Sequence, residues 1–234
     1  MTTIAARLQA VRARVAQAAH ACGRRPEDIT LLAVSKTWPA EDVRAAAEAG
    51  QGAFGENYVQ EGIAKIATLA GMALEWHFIG PLQSNKSRDV AGHFDWIHSI
   101  DRLKLAERLS AQRPRAMKPL QVCVQVNVSG EESKSGVAPD EAVALAEAVG
   151  VLPGLQLRGL MCVPEPTDDQ ALLRSRFAEL RRLLAVLKER GLAVDTLSMG
   201  MSHDLEVAIA EGATLVRVGT AIFGQRDYSH ASRT

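Results

Sequence analysis

The sequence has few cysteines, no net charge and no long apolar run, and each of these shortages excludes a class of protein. Among 234 residues only Cys22, Cys123 and Cys162 are cysteines, which is too few for a disulfide framework and fits a reducing compartment. Lys plus Arg number 27, and Asp plus Glu also number 27, so no global field attracts nucleic acid or an anionic membrane. No stretch approaches the roughly 20 apolar residues that span a bilayer, and no secretory signal opens the chain. We therefore expect a cytoplasmic monomer whose partner is a small molecule.

Motifs of metal and nucleotide chemistry are missing too. The six histidines and three cysteines show no spacing typical of metal ligands. The sequence contains no nucleophile elbow, P-loop or dinucleotide fingerprint. We expect no bound metal, and the chemistry has to come from other residues.

The amino-terminal segment has two interpretations. Residues 1–26 contain five arginines and no acid, a composition shared by mitochondrial transit peptides. However, Ile4, Leu8, Val11 and Val15 fall on one helical stripe, and a threonine precedes them as a cap. We favour a docked helix over about residues 2–22.

Downstream, β-rich runs alternate with helical patterns, which is the signature of βα units and a parallel sheet. The candidate strands are Ile29–Ser35, Gly52–Gly55, Glu75–Ile79, Trp96–Ile100, Leu120–Val128, Leu155–Met161, Thr196–Met199 and Thr214–Val218. The helical segments include Ala40–Ala49, Asn57–Leu69, Arg102–Ala111, Pro139–Val149, Asp168–Arg190 and Asp204–Ala210, with Gly50, Gly150 and Gly191 at helix ends. Eight such units favour a single (β/α)8 TIM barrel over residues 1–234, with an extra N-terminal helix, rather than an open doubly wound sheet.

A lysine at the end of the first strand is the leading candidate for chemistry. The apolar run from Leu31 to Ser35 ends at Lys36, at the barrel face where active sites lie. Limited hydration favours the neutral amine, which is the form that attacks an aldehyde. The alternative is an ordinary solvated lysine.

The loops after the last two strands predict a phosphate site. Gly200 and Gly219 permit close approach of the backbone, and Ser202 and Thr220 offer hydroxyl groups. Ordinary tight turns are the alternative. Arg217, beside the second loop, would pair with the phosphate or face the ring nitrogen of a heterocycle; the second arrangement weakens a pyridine ring as an electron sink.

Other strand ends carry polar groups that are weak signals singly. Asn57 follows one strand, Asn127 lies at the end of another, and His77 lies inside a third. A histidine in an apolar strand is more often a core residue than a general base. The polar loop that includes Lys134 is either solvated surface or a lid with a second amine that handles cofactor.

These residues together resemble the pyridoxal phosphate homeostasis proteins, whose barrel is similar to the N-terminal domain of alanine racemase and to that of eukaryotic-type ornithine decarboxylase. The resemblance spans nearly the whole chain and is carried by the segments Val34–Thr37, Phe54–Tyr58, Trp76–Gly80, Gln83–Lys86, Ser133–Gly136, Gly159–Met161, Ser198–Ser202 and Arg217–Thr220.

The resemblance implies pyridoxal 5'-phosphate (PLP) held as a Schiff base on Lys36, and a role in keeping free cofactor low and supplying apo-enzymes, without established catalysis. The implied cofactor-binding set is Lys36, Asn57, His77, Met161, Ser198, Met199, Gly200, Ser202, Arg217, Gly219 and Thr220. Family members often carry a second lysine two positions after the first, where this chain has Trp38. Any role in cofactor handling that the second lysine has in the family is therefore not expected of this chain.

Two enzymes compete with this interpretation. An amino-acid racemase on the same barrel needs a second base, usually a tyrosine from an added domain, for which the chain leaves no room. Its tyrosines, Tyr58 and Tyr228, are not obviously placed for that role. A Schiff-base aldolase acting on sugar phosphates would also use a strand-end lysine beside a phosphate loop.

Overall fold

The computed structural model describes residues 2–131 and 135–225 of the chain. Its strands are β1 Thr30–Val34, β2 Ala53–Glu56, β3 Glu75–Phe78, β4 Trp96–Ile100, β5 Leu120–Gln125, β6 Leu155–Met161, β7 Thr196–Ser198 and β8 Leu215–Val218. They pair in parallel and in chain order, and β1 pairs with β8 to close the barrel. The predicted (β/α)8 barrel is confirmed.

Helices cover the outside of this barrel. They are α1 Ile4–Ala21, α2 Ala40–Glu48, α3 Val59–Thr68, α4 Ser87–His93, α5 Leu103–Gln112, α6 Pro139–Gly150, α7 Gln170–Glu189, α8 Leu205–Ala210 and α9 Thr220–Phe223. Single 3-10 turns lie at Pro26–Asp28 and Ser84–Lys86. Within the described ranges, no helix is long and apolar enough to cross a membrane.

The predicted N-terminal helix exists, and it is docked. It begins at Ile4, where the Thr3 hydroxyl accepts from the N–H of Ala6 at 3.2 Å. The Arg7 guanidinium donates to the carbonyl oxygens of Ile222 (2.6 Å) and Phe223 (3.0 Å) in α9. The last carbonyl groups of a helix have no N–H partner within that helix. Arg7 of α1 supplies the missing donors at the end of α9.

Some predicted boundaries are wrong. Residue Val151, not Gly150, follows the end of α6, and Gly150 is the last helical residue. Gly50 and Gly191 do have the left-handed φ angles, 90° and 86°, that helix ends favour. Strand β5 ends at Gln125 instead of Val128: the Val126 N–H still donates to the Met161 carbonyl oxygen of β6, but the Asn127 N–H donates to the Val137 carbonyl oxygen instead.

The core has two layers. Between strands and helices lie fully buried apolar side chains such as Phe54, Phe78 and Phe94. Inside the barrel, Trp96, Cys123 and Met161 form a separate apolar cluster. His77 stacks on Trp96 with ring centroids 5.1 Å apart, so part of the barrel interior is polar.

Candidate functional site

A cavity of about 610 Å³ lies at the carboxyl ends of the strands, where active sites of such barrels are built. Its wall consists of Val34, Lys36, Asn57, Ile79, Val163, Met201, Ser202, His203, Arg217, Gly219, Thr220 and Gln225. Six members of the predicted set therefore share one space, although they come from the ends of four different strands. This volume is ordinary for a small-molecule site.

Lys36 enters the cavity from a tight turn. Side chains two residues apart in a strand share a face, and both Val34 and Lys36 line the cavity. The turn is closed by the Trp38 N–H, which donates to the Ser35 carbonyl oxygen at 3.0 Å. The lysine is half-buried, and the Trp38 ring stacks on Phe223 beside it, with centroids 6.0 Å apart.

Arg217 is the buried cation of the site. Its guanidinium donates to the Ser198 carbonyl oxygen (2.6 Å), to the Ser198 hydroxyl (2.7 Å) and to the Cys162 carbonyl oxygen (2.8 Å). Burial lowers the pKa of Arg217 below its ordinary value, but arginine stays protonated in proteins. A fixed positive donor therefore forms part of the cavity wall.

Asn57 is held by a close backbone contact. A Cβ atom on Gly80 would lie 2.4 Å from the Asn57 carbonyl oxygen and 2.8 Å from its Cα, so only glycine fits there. The Asn57 Oδ1 atom is buried and has no hydrogen-bond partner within residues 2–131 and 135–225. The side-chain amide is therefore available to a ligand.

Two hydrogen bonds fix the conformation of the loop after β7. The carboxylate of Asp204 accepts from the Met201 N–H at 2.5 Å, and Arg14 of α1 donates to the Ser202 carbonyl oxygen at 3.1 Å. The Gly200 φ is 94°, and a Cβ there would lie 2.6 Å from that of Ala208. This geometry brings Ser202 to the cavity, beside the loop that carries Gly219.

Comparison with known proteins identifies the family. Residues 6–227 match the family described as "Alanine racemase, N-terminal domain". The pyridoxal phosphate homeostasis protein of Pseudomonas aeruginosa is 60% identical over 97% of this chain and 98% of its own. The chain belongs to the pyridoxal phosphate homeostasis protein family.

Solved structures agree with this assignment. PipY of Synechococcus elongatus, determined with PLP bound, is 41% identical with a TM-score of 0.84, covering 95% of this chain and 100% of that one. Alanine racemase of Corynebacterium glutamicum is 17% identical with a TM-score of 0.70, over 94% of this chain and 62% of that one. At that identity the racemase shows a shared fold only.

In this family member, His77 lies in the barrel interior and not in the cavity wall. His77 Nε2 lies 2.7 Å from Glu75 Oε1, and His77 Nδ1 lies 2.9 Å from His98 Nε2. His98 Nδ1 in turn lies 2.8 Å from the hydroxyl of Ser198, the residue that holds Arg217. A chain of hydrogen bonds thus runs from the first residue of β3 to the cavity.

The protonation states of the linked residues decide which atom donates in each of these hydrogen bonds. Burial lowers the pKa of His77, and lowers that of His98 well below its ordinary value, so both rings are neutral. The hydrogen bond from His77 keeps the pKa of Glu75 low, so Glu75 is a carboxylate and only accepts. His77 Nε2 must then donate to Glu75, His98 Nε2 to His77, and the Ser198 hydroxyl to His98. Ser198 can still accept from Arg217, and every member is satisfied.

The remaining residues of the predicted cofactor-binding set lie behind the cavity wall, in the interior of the protein. Met161, Ser198, Met199 and Gly200 are buried and do not line the cavity. Ser198 acts on Arg217, and Met161 packs in the interior cluster. Lys134 and Tyr228 lie outside the described residues.

Six wall residues were not in the predicted cofactor-binding set: Val34, Ile79, Val163, Met201, His203 and Gln225. Val163 follows Met161 by two positions, so continuing the strand alternation would have found it. Val34, Ile79 and Met201 lie within segments that carry the family resemblance, and His203 directly follows Ser202. Gln225 follows the last helix, and no pattern in the sequence marks it.

Proposed function

We propose that this protein holds PLP in the cavity as a Schiff base on Lys36, and that it takes part in intracellular PLP homeostasis. One observation carries the proposal: Lys36, Arg217 and the hydroxyl loops after β7 and β8 line the same cavity. An amine, a fixed cation and a set of phosphate-type donors are what a phosphorylated aldehyde requires. The bound PLP of the PipY structure supports the same ligand.

The cavity residues divide into groups that suit different parts of the cofactor. Ser202, Gly219 and Thr220 are assigned to the phosphate, because they combine hydroxyl and backbone donors on two adjacent loops. Asn57 and Arg217 are assigned to the ring. Arg217 is anchored in the interior by Ser198 and Cys162, which places its charge on the barrel side of the cavity.

When bound, PLP supplies an aldehyde, and condensation with the lysine amine forms a C=N bond with loss of water and no change of oxidation state. Lys36 is the amine for this step. A donor-only guanidinium facing the ring nitrogen favours the unprotonated ring, which is a weak electron sink. The residues therefore suit holding the cofactor better than driving carbanion chemistry on it.

A spectroscopic titration tests the Schiff base. Protein freed of ligand is titrated with PLP, and the visible absorbance of the Schiff base is followed. The band should develop in the wild type and in the control Lys86→Met, and should be absent in Lys36→Met, which keeps the length of the side chain and loses the amine. A wild type that stays colourless at saturating PLP would overturn the proposal.

Supply to apo-enzymes is the second part of the proposal. The partial exposure of Lys36 supports it, because a cofactor held there can be reached from solution. Loaded protein is mixed with the apo form of a PLP-dependent aminotransferase, and recovery of transaminase activity is measured over time. Recovery is expected, and loaded protein that restores no activity would remove this part of the proposal.

We further assign the protein to the cytoplasm, as a monomer. Its cysteines are free thiols, and burial raises the pKa of Cys123 and Cys162 to about 12, which keeps both protonated. The large exposed apolar side chains of the described residues lie on separate segments, with Tyr58, Leu103 and Val151 as examples. Sedimentation at several concentrations should give the mass of one chain; a concentration-dependent increase would contradict the monomer.

A further inference from the structure

A buried lysine outside the cavity, Lys65 of α3, makes contacts that the proposed function does not use. Its side chain is only 6% exposed. The ammonium group donates to the Ser35 carbonyl oxygen (2.7 Å), to Glu56 Oε1 (2.8 Å) and to Glu61 Oε1 (2.6 Å). An ammonium group has three N–H donors, so all of them are used.

These contacts reach the backbone on both sides of Lys36. On the preceding side, the Ser35 carbonyl accepts from Lys65, and the Ser35 hydroxyl donates to Glu56 Oε1 at 2.6 Å. On the following side, the Thr37 N–H donates to Glu61 Oε1 at 2.5 Å. The turn that presents Lys36 is therefore tied at each end to acceptors that share one ammonium group.

The turn needs such support, because its conformation is unfavourable. Thr37 has a φ of 68° and is the single non-glycine residue with positive φ within the described ranges. The left-handed region is disfavoured for β-branched residues, and at this place in a turn glycine is usual. The hydrogen bond from Thr37 to Glu61 holds the conformation that an unsupported threonine would leave.

Stability alone is a poor reason for this arrangement. Buried ion pairs are often no better for folding than apolar residues of similar volume, since desolvation offsets the attraction. Burial raises the pKa of Glu56 to about 6 despite the neighbouring Lys65, which shows the cost of placing the carboxylate there. What the network does provide is a fixed geometry next to the reactive amine.

We infer that Lys65, acting through Glu61 and the Ser35 carbonyl, is a positioning residue that fixes the turn so that Lys36 meets the cofactor aldehyde. This inference rests on the proposed Schiff base at Lys36. A group held within reach of its target reacts far faster than one that must first find it. Loss of the network should therefore slow Schiff base formation and leave the rest of the cavity intact.

The test separates Schiff base formation from binding to the cavity. Schiff base formation with PLP is timed by stopped-flow absorbance, and affinity is measured for pyridoxine 5'-phosphate, which carries the ring and phosphate but no aldehyde. Glu61→Ala removes the partly exposed acceptor of Thr37, and the double variant Lys65→Met with Glu56→Gln removes both buried charges together. Gln60→Ala is the matched control on the same helix, because Gln60 bonds to Asp89 instead.

Glu61→Ala and the double variant should form the Schiff base about tenfold or more slowly than the wild type, with unchanged affinity for pyridoxine 5'-phosphate. Glu61→Gln keeps an oxygen for the Thr37 N–H and should recover most of the rate, and Gln60→Ala should match the wild type. If the double variant does not fold, Glu61→Ala and Glu61→Gln still decide the question.

Two results would overturn the inference on its own: a wild-type rate in Glu61→Ala, or a parallel loss of Schiff base formation and pyridoxine 5'-phosphate affinity. The second would mean that the network merely maintains the cavity. A wild type that binds pyridoxine 5'-phosphate but never forms a Schiff base would instead overturn the proposed function, and the inference with it.

Discussion

At the scale of single residues, position along the chain indicated which side chains reach the cavity but not what holds them there. Lys36 and Arg217 could be found because they lie at the ends of apolar strands. The role of Ser198 could not, since it depends on Arg217 and His98 meeting at one hydroxyl from different strands. A hydroxyl both donates and accepts, so its partners are decided by the tertiary structure.

Ser198→Ala tests that assignment. The substitution leaves His98 Nδ1 and one Arg217 N–H without a partner in a buried site, which should lower the free energy of unfolding by about 1–3 kcal/mol. Urea denaturation measures the change. Ser110→Ala is the control, since the Ser110 hydroxyl also makes a hydrogen bond, to the Pro153 carbonyl oxygen, but in an exposed place. Equal effects of the two substitutions would contradict the buried network.

The neutral histidines predict a dependence of stability on pH. His98 has a folded-state pKa below the ordinary 6.5 because of burial, so on acidification the unfolded state takes up the proton first. Its contribution to stability is complete above about pH 6.5 and is lost as the pH falls from there towards the folded-state pKa. One histidine gives a slope of roughly 1.4 kcal/mol per pH unit in that window.

Comparing His98→Gln with the wild type isolates this effect, since other titrating groups are common to both. The difference in the free energy of unfolding, from urea titrations between pH 5 and pH 8, should be constant at the alkaline end and change below about pH 6.5. A difference that stays constant over the whole range would mean that His98 is not held neutral.

At the scale of elements, the alternation of strands and helices was predictable because each strand is covered on both faces and reads as an apolar run. Two of the short helices, α4 and α9, were not. Helix α4 was not among the predicted helical segments, and α9 was read as part of a phosphate loop. Each spans two turns or fewer, which gives a periodic pattern little length in which to show, although α8, of six residues, was predicted.

The connection between β3 and α4 gives a sharp test at this scale. In Gly80→Ala the new Cβ would press on the backbone of Asn57, so the connection after β2 must move. We expect weaker PLP binding and a loss of about 1–3 kcal/mol in the free energy of unfolding, measured by titration and urea denaturation. Gly92→Ala is the control: nothing lies within 4 Å of its Cβ position, and alanine should stabilise α4 by up to about 1 kcal/mol. Unchanged PLP binding in Gly80→Ala would contradict the role given to Asn57.

At the scale of the whole molecule, the closed barrel brings together residues that are distant in the sequence. Lys36 and Arg217 share a cavity because β1 pairs with β8 and Leu32 lies opposite Arg217 in that pairing. The eightfold alternation predicted closure, and closure predicted which strand ends meet. The polar chain from Glu75 to Arg217 was not predictable, because a barrel interior is usually filled by apolar layers and here it contains two histidines.

Covalent binding of PLP at Lys36 is tested most directly by borohydride reduction followed by peptide mapping. Reduction fixes a Schiff base as a stable secondary amine on whichever lysine carries it. We expect about one modification per chain, on the peptide that contains Lys36. A modification confined to another lysine, Lys134 included, with Lys36 unmodified, would contradict it.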